Sequence, residues 1–309
     1  MKEDINFIDE TKKGPIKIEG NHSKVEAQNW YLENKQELSE LLTKHGAILL
    51  RNFGINDTSE FELFARSVSP NLQDYIVHVP IPKTKQKGRL YDYPDNRPIP
   101  MHNENAYTQS WPNVLLFFCG MPAEEGGYTP IANSVNVLSR LDPNFVHKCE
   151  TEGIKYIRYY YDEPGLNWKN DFQERIENDC HKNGMTCEWL EGQPTLKTAQ
   201  VCQATTIHPQ TKQKVWFNQA HLFHPTILSV EDKERMRQFI GNGPFPRHAC
   251  FGNGEEIEEE DIQSVMKAYE EEKIPFQWQK GDILILDNIL MAHSRTPFAG
   301  KREIAVAMY

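Results

Sequence analysis

A mainly β fold with inserted α-helices is what this sequence predicts, and three observations predict it. Apolar runs of strand composition lie near both ends, at residues 47–53 and 114–119 and again at 282–286 and 303–309. Segments with helical periodicity fall between them. Two groups of candidate metal ligands, one at His102 and Glu104 and the other at His293, each adjoin a strand yet stand far apart in the chain. A double-stranded jelly roll (double-stranded β-helix) meets all three conditions, because Greek-key connections bring sequence-distant strands together. At 309 residues, with no internal repeat and no linker, the chain suits one domain over residues 25–309 behind an N-terminal arm of residues 1–24.

The elements follow in order. The arm is polar and mixed in charge, with Ile16 and Ile18 as the positions that would pin it to the body as a strand. Trp30, Leu38, Leu41 and Leu42 recur at near-helical spacing over residues 25–45, and Gly46 suits the stop. A buried strand at 47–53 leads to N-cap chemistry at Asp57-Thr58-Ser59-Glu60, with Phe61, Phe64, Ala65 and Val68 forming an apolar stripe behind it. Pro80, Pro82, Pro94, Pro98 and Pro100 make residues 70–101 a loop that delivers the chain to His102. Strands are expected at 114–119 and 128–132, with Gly126-Gly127 as turn chemistry between them. The middle of the chain reads as a helix over 135–149 interrupted near Pro143, a strand at 154–160, a helix at 168–181, and strands at 196–207 and 214–218. Charged amphipathic helices follow at 230–240 and 255–273. The strand at 282–286, a ligand loop at His293 and the terminal strand at 303–309 close the chain.

Bulk properties exclude several function classes. A net charge of −10 and a pI near 5.6 argue against a nucleic-acid surface, which needs a basic face. The first residues carry both signs of charge and no apolar core follows, so neither a signal peptide nor a membrane span is expected and the cytoplasm is the default. The six cysteines include no Cys-x-x-Cys pair and read as free, mostly buried thiols.

The chemistry lies in His102-Asn103-Glu104. In extended backbone, residues two apart point to the same side, so the imidazole and the carboxylate can grip one ion. His293, directly after an apolar strand, is the best third ligand. Two histidines and one carboxylate with open positions are the donor set of mononuclear non-haem Fe(II) oxygenases. A rival set is His221 and His224 with His208 nearby. Pro225 follows it at once and no glutamate stands between the pair, as a zinc-peptidase helix would require, so packing is the better reading there. The same three ligands on zinc would make a hydrolase, and a jelly roll without chemistry would make a binding protein.

His102-x-Glu104, Gly126-Gly127-x-Thr129, Trp216-Phe217-Asn218 and Asp287-Asn288…His293-x-Arg295…Gly300-x-Arg302 together resemble the taurine dioxygenase-like (TauD/TfdA, clavaminate-synthase-like) family of Fe(II)/2-oxoglutarate oxygenases. The resemblance runs from about residue 25 to the C-terminus. The stretches around Met101 to Glu104 and Val215 to His221 look closest to its syringomycin-type aspartyl β-hydroxylase branch. The resemblance implies Fe(II) on His102, Glu104 and His293. It implies 2-oxoglutarate with its distal carboxylate on Arg302, Thr129 adding a hydroxyl bond and Arg295 the alternative arginine. It further implies O2 as oxidant, with succinate and CO2 as coproducts. Many relatives carry Asp where Glu104 stands, and a carboxylate there leaves no vacated position for halide, against a halogenase. The implied substrate is a small molecule, an amino acid or derivative, or an aminoacyl group on an acyl or peptidyl carrier protein. That partner would call for a basic patch such as Lys83, Lys85 and Lys87. The implied reaction is hydroxylation of an aliphatic C–H, with desaturation or cyclisation as branches of the same hydrogen removal.

Overall fold

Six strands make up the largest sheet, in the order Asp4–Phe7, Ile16–Glu19, Ala47–Arg51, Ile283–Asp287, Val114–Met121 and Glu303–Met308. The structure is a computed structural model that describes residues 3–12, 14–72, 97–161, 168–192 and 194–309. Neighbouring strands are antiparallel except Ile16–Glu19, which runs parallel to Ala47–Arg51 and buries Ile16 and Ile18. The strand Ile283–Asp287 is an unbroken apolar run because both of its faces are covered. Ile283 and Ile285 cluster with Trp30, Phe64 and Phe118 beneath the helices Lys24–Glu33, Lys35–His45 and Thr58–Val68. Leu284 and Leu286 cluster on the opposite face with Leu115, Phe117 and Phe217. The alternation of Phe117 and Phe118 between these clusters is the two-residue period of a strand.

The first helical stretch is two helices, not one. The Asn34 side chain and its backbone N–H both donate to the Trp30 carbonyl, at 2.8 and 3.0 Å, capping the first helix, and the chain restarts at Lys35. Gly46 ends the second helix at φ 75°, and Asp57 caps the third through the Glu60 amide. The helix expected from residue 255 starts at Glu259, with Glu258 as its N-cap.

A second sheet has the order Arg247–Phe251, Ile154–Tyr160, Leu196–Cys202, Thr186–Trp189. Its two outer strands escape a reading of the sequence: Thr186–Trp189 alternates but is only four residues long, and Arg247–Phe251 does not alternate. The run at 196–207 divides: Leu196–Cys202 stays in this sheet, whereas Thr205–Ile207 turns back on Lys214–Trp216 as a hairpin. A third sheet, Ile99–His102, Met291–Arg295, Ile131–Asn133, takes up the end of the loop expected over 70–101 and the ligand loop expected at His293. Ile99–His102 tolerates Pro100 because it is an edge strand, where a missing N–H costs no ladder bond on the outer side. The lysine cluster at 83–87 lies outside the described residues. Among the described residues no helix is long and apolar enough to cross a membrane.

Candidate active site

Register brings the two histidines together. His102 and His293 are direct partners across antiparallel strands, so their side chains share a face, with ring centroids 4.3 Å apart. The chain then leaves the strand and swings Glu104 back, placing its Oε2 3.7 Å from His102 Nε2. The three residues offer donor atoms within 4.8 Å of one another, and they are the one such group of three or more among the described residues. His102 Nδ1 lies 2.8 Å from the Pro100 carbonyl, which holds the proton on that nitrogen and turns the lone pair of Nε2 toward Glu104. His293 is buried with its Nδ1 lacking any hydrogen-bond partner, and its ring meets Phe117 edge-on at 5.1 Å. Burial first, and then the neighbouring His102, holds its pKa well below the ordinary histidine value, so the ring stays neutral. Two imidazoles, one of them with an orphaned buried ring nitrogen, and one carboxylate form a donor set that fits a divalent cation.

Beneath these ligands lies a layer of side-chain amides. Asn288 Oδ1 accepts from the Glu104 amide at 2.7 Å, while its Nδ2 donates to the carbonyls of Glu104 at 3.0 Å and Pro112 at 2.8 Å. Asn103 Nδ2 donates in return to the Asn288 carbonyl at 2.7 Å, and Gln219 Nε2 donates to the Asn103 carbonyl at 2.7 Å. The segment bearing Glu104 and the one leading to His293 are thereby joined without any charge. Asp287 braces the same segment: Oδ1 accepts from the Ile289 and Leu290 amides, and Oδ2 lies 2.9 Å from His208 Nε2.

A cavity of about 410 Å³ opens over the triad, lined also by Phe117, Thr129, Arg247, Arg295 and Arg302. Arg302 donates from Nε to the Gly127 carbonyl at 2.9 Å and from Nη2 to Thr129 Oγ1 at 3.3 Å. Trp278 Nε1 also donates to Thr129 Oγ1, at 2.9 Å. With its oxygen accepting twice, the Thr129 hydroxyl has its own proton left to donate. The Gly126-Gly127 pair is there for space. Both adopt positive φ, and a Cβ on Gly127 would stand 3.0 Å from the Arg302 Cδ, where the guanidinium stem must pass. Burial, and then the charge of Arg295, lowers the Arg302 pKa to about 10. Arg295 shares the Phe298 ring with Arg302 and donates to the Arg97 carbonyl at 2.9 Å. No carboxylate among the described residues pairs with Arg302, so this wall of the cavity suits an anion.

The rival histidines do not assemble. His208 belongs to Asp287, His224 Nδ1 lies 2.8 Å from Thr226 Oγ1, and His221 Nε2 lies 2.8 Å from the Met101 carbonyl. His221 is fully enclosed, and burial lowers its pKa to about 4. All six site residues expected from the sequence line this one cavity. Asn103, Asn288, Gln219, Trp278 and Arg247 were not singled out for a role. Asn288, Asn103 and Gln219 do stand inside the motif stretches noted in the sequence, whereas Trp278 and Arg247 carry no such signal.

A 2-His-1-carboxylate donor set on a mainly β scaffold, with arginines over the same cavity, defines a class of metal-dependent oxygenase sites. The family model of the taurine catabolism dioxygenase TauD, TfdA family matches residues 13–308, and the chain belongs to that family. It is therefore an Fe(II)/2-oxoglutarate-dependent dioxygenase, using iron, 2-oxoglutarate and O2. The chain is 36% identical over 278 residues to the dapdiamide synthesis protein DdaC of Enterobacter agglomerans, covering 88% of this chain and 84% of that one. It is 29% identical over 291 residues to a clavaminate synthase-like protein of Arabidopsis thaliana, covering 89% and 84%. Its fold is similar to that of AAD-2, solved in complex with Mn(II) and N-oxalylglycine, with a TM-score of 0.54, 13% identity and 99% and 96% coverage.

Proposed function

We propose that His102, Glu104 and His293 hold Fe(II), that Arg302 and Thr129 anchor the distal carboxylate of 2-oxoglutarate with Arg295 beside them, and that the enzyme hydroxylates an aliphatic C–H of an amino acid or of an aminoacyl group on a carrier protein. The observation that carries this reading is the facing of His102 and His293 across one strand pair, with Glu104 beside them and Arg302 on the same cavity. When bound, the iron lets O2 convert 2-oxoglutarate to succinate and CO2 while a substrate C–H becomes C–OH.

The chain's own residues do the rest. Arg302 offers a guanidinium fork suited to two-point binding of a carboxylate. Thr129 adds its proton, Phe117 walls one side of His293 against water, and Asn288 holds Glu104 in register with the His293 strand. The large sheet and the sheet bearing both histidines are read as the two walls of a jelly-roll core. Residues 25–309 are read as a single oxygenase domain, and residues 1–24 as an arm whose strand Ile16–Glu19 extends the large sheet. DdaC, named for dapdiamide synthesis, supports a biosynthetic role, and the syringomycin-type aspartyl β-hydroxylase branch remains the kinship that the motifs favour. Six free cysteines suit the cytoplasm, where thiols stay reduced.

The test is substrate-dependent succinate release across free and carrier-bound amino acids, with wild type beside His102→Ala and Glu104→Ala. Wild type should form an anaerobic visible band with Fe(II) and 2-oxoglutarate, and both variants should lose the band and the succinate while staying folded. A variant that keeps iron-dependent succinate formation would remove its residue from the ligand set.

A further inference from the structure

The cavity has a second cationic wall that neither iron nor 2-oxoglutarate calls upon. Arg247 reaches the cavity from the strand Arg247–Phe251 of the second sheet, whereas Arg302 sits beside the strand Glu303–Met308 of the large sheet. Its direct partner across the strands is Arg158. Directly opposed residues project from one face, and like charges placed so repel each other. Both guanidiniums lie over the same ring, Phe223, with Cζ at 4.9 Å for Arg158 and 5.3 Å for Arg247. Arg158 also lies over Tyr107 at 4.9 Å. A guanidinium seated over a ring engages its face, and its N–H edge remains the part suited to carboxylate oxygens.

Tyr107 lines the cavity together with Glu104, so this wall adjoins the ligand cluster. Its phenol responds to both sides: burial raises its pKa most, Arg158 and Arg247 pull it down, and Glu104 pushes it up. Within the proposed function, Glu104 and the cosubstrate dianion are already more than balanced by a divalent iron, Arg302 and Arg295. Arg247 brings further positive charge to this cavity from the other sheet, with Arg158 directly across the strands from it. Leu222, next to Phe223 in sequence, supplies an apolar contact on the same side.

We infer that Arg247 and Arg158, held over Phe223 and Tyr107, form the subsite that reads a carboxylate of the substrate. The inference rests on the oxygenase reading and narrows it. A free amino acid would present its α-carboxylate. An aminoacyl thioester has given that group up, so a carrier-bound substrate would need a side-chain acid.

The test is binding rather than turnover. Anaerobic enzyme loaded with Fe(II) and 2-oxoglutarate is titrated with free L-amino acids, with the α-carboxamide of each, and with carrier-bound aspartyl and leucyl groups, following the change in the visible band. At least one acid should bind, and removing its carboxylate should weaken binding tenfold or more. Arg247→Gln and Arg158→Gln should each weaken the acid tenfold or more and barely change the amide, while Arg247→Lys recovers part of the loss. On the carrier, aspartyl should bind and leucyl should not if the tethered form is the substrate. Equal binding of acid and amide, equal loss of both in the variants, or no acid that binds through Arg247 would overturn the inference while leaving the band intact. A wild type that forms no band at all would sink the oxygenase reading, and this subsite with it.

Discussion

The floor of the cavity and its arginine-bearing wall are built on opposite principles. The floor is neutral: Asn288, Asn103 and Gln219 match donors to backbone carbonyls, and Asn288 also accepts the Glu104 amide. Such a network is rigid without any ligand, because its bonds are complete. The wall is charged: Arg302 and Arg295 share one aromatic ring, and each raises the cost of the other. The floor fixes where the metal ligands stand. The wall stores positive potential that an incoming carboxylate relieves. Substitutions should therefore separate, with floor variants losing stability and metal, and wall variants losing cosubstrate.

Arg302→Ala should show the largest effect. Removing one partner of a partly buried carboxylate pair costs about 2–5 kcal/mol, raising the 2-oxoglutarate requirement by roughly thirtyfold to several thousandfold. Iron retention and thermal stability should stay close to wild type. Unchanged dependence on 2-oxoglutarate in steady-state assays would transfer the role to Arg295.

Asn288→Ala should come next and do the reverse. It breaks three side-chain hydrogen bonds in a site closed to water, an expected loss of about 2–4 kcal/mol in urea unfolding of the metal-free protein. Iron affinity should fall by roughly 10–100-fold, since residues supporting a ligand affect metal binding on that scale. If stability falls with no loss of iron, the clamp serves the fold and not the site.

Thr129→Val gives the smallest effect and tests the boundary between the two regions. Losing one neutral hydroxyl bond should cost about 1 kcal/mol, or roughly fivefold in the 2-oxoglutarate requirement. It also strips the acceptor from Trp278, so a slight fall in melting temperature should accompany it. A fall in melting temperature with an unaltered cosubstrate response would mark Thr129 as an ordinary strand residue.

The legible parts of this protein were those encoded by local pattern. The strand expected at 282–286, the stop at Gly46 and the cap within residues 57–60 each rest on a few adjacent residues, and the structure has them at Ile283–Asp287, Gly46 and Asp57. The strand Ile99–His102 has the sequence of a loop because Pro98 and Pro100 mark breaks, and only an edge position reconciles those prolines with strand pairing. Arg247–Phe251 leaves no strand signature in the sequence, because its five residues run from partly exposed to buried without alternating. With that strand went Arg247. Asn288 stood inside a recognised motif, but an asparagine's hydrogen-bond partners lie across the fold and leave no mark on its neighbours.

Residue types and a short spacing were enough to nominate His102, Glu104 and His293, because coordination chemistry admits few donors, although the strand ends at His102 and a turn, not extended backbone, brings Glu104 beside it. What no string of letters could supply was the pairing of His102 with His293 across two strands, the amide clamp beneath Glu104, and the meeting of Arg158 with Arg247. Those depend on strand register and on which faces are turned inward, and both are settled only when the whole chain packs at once.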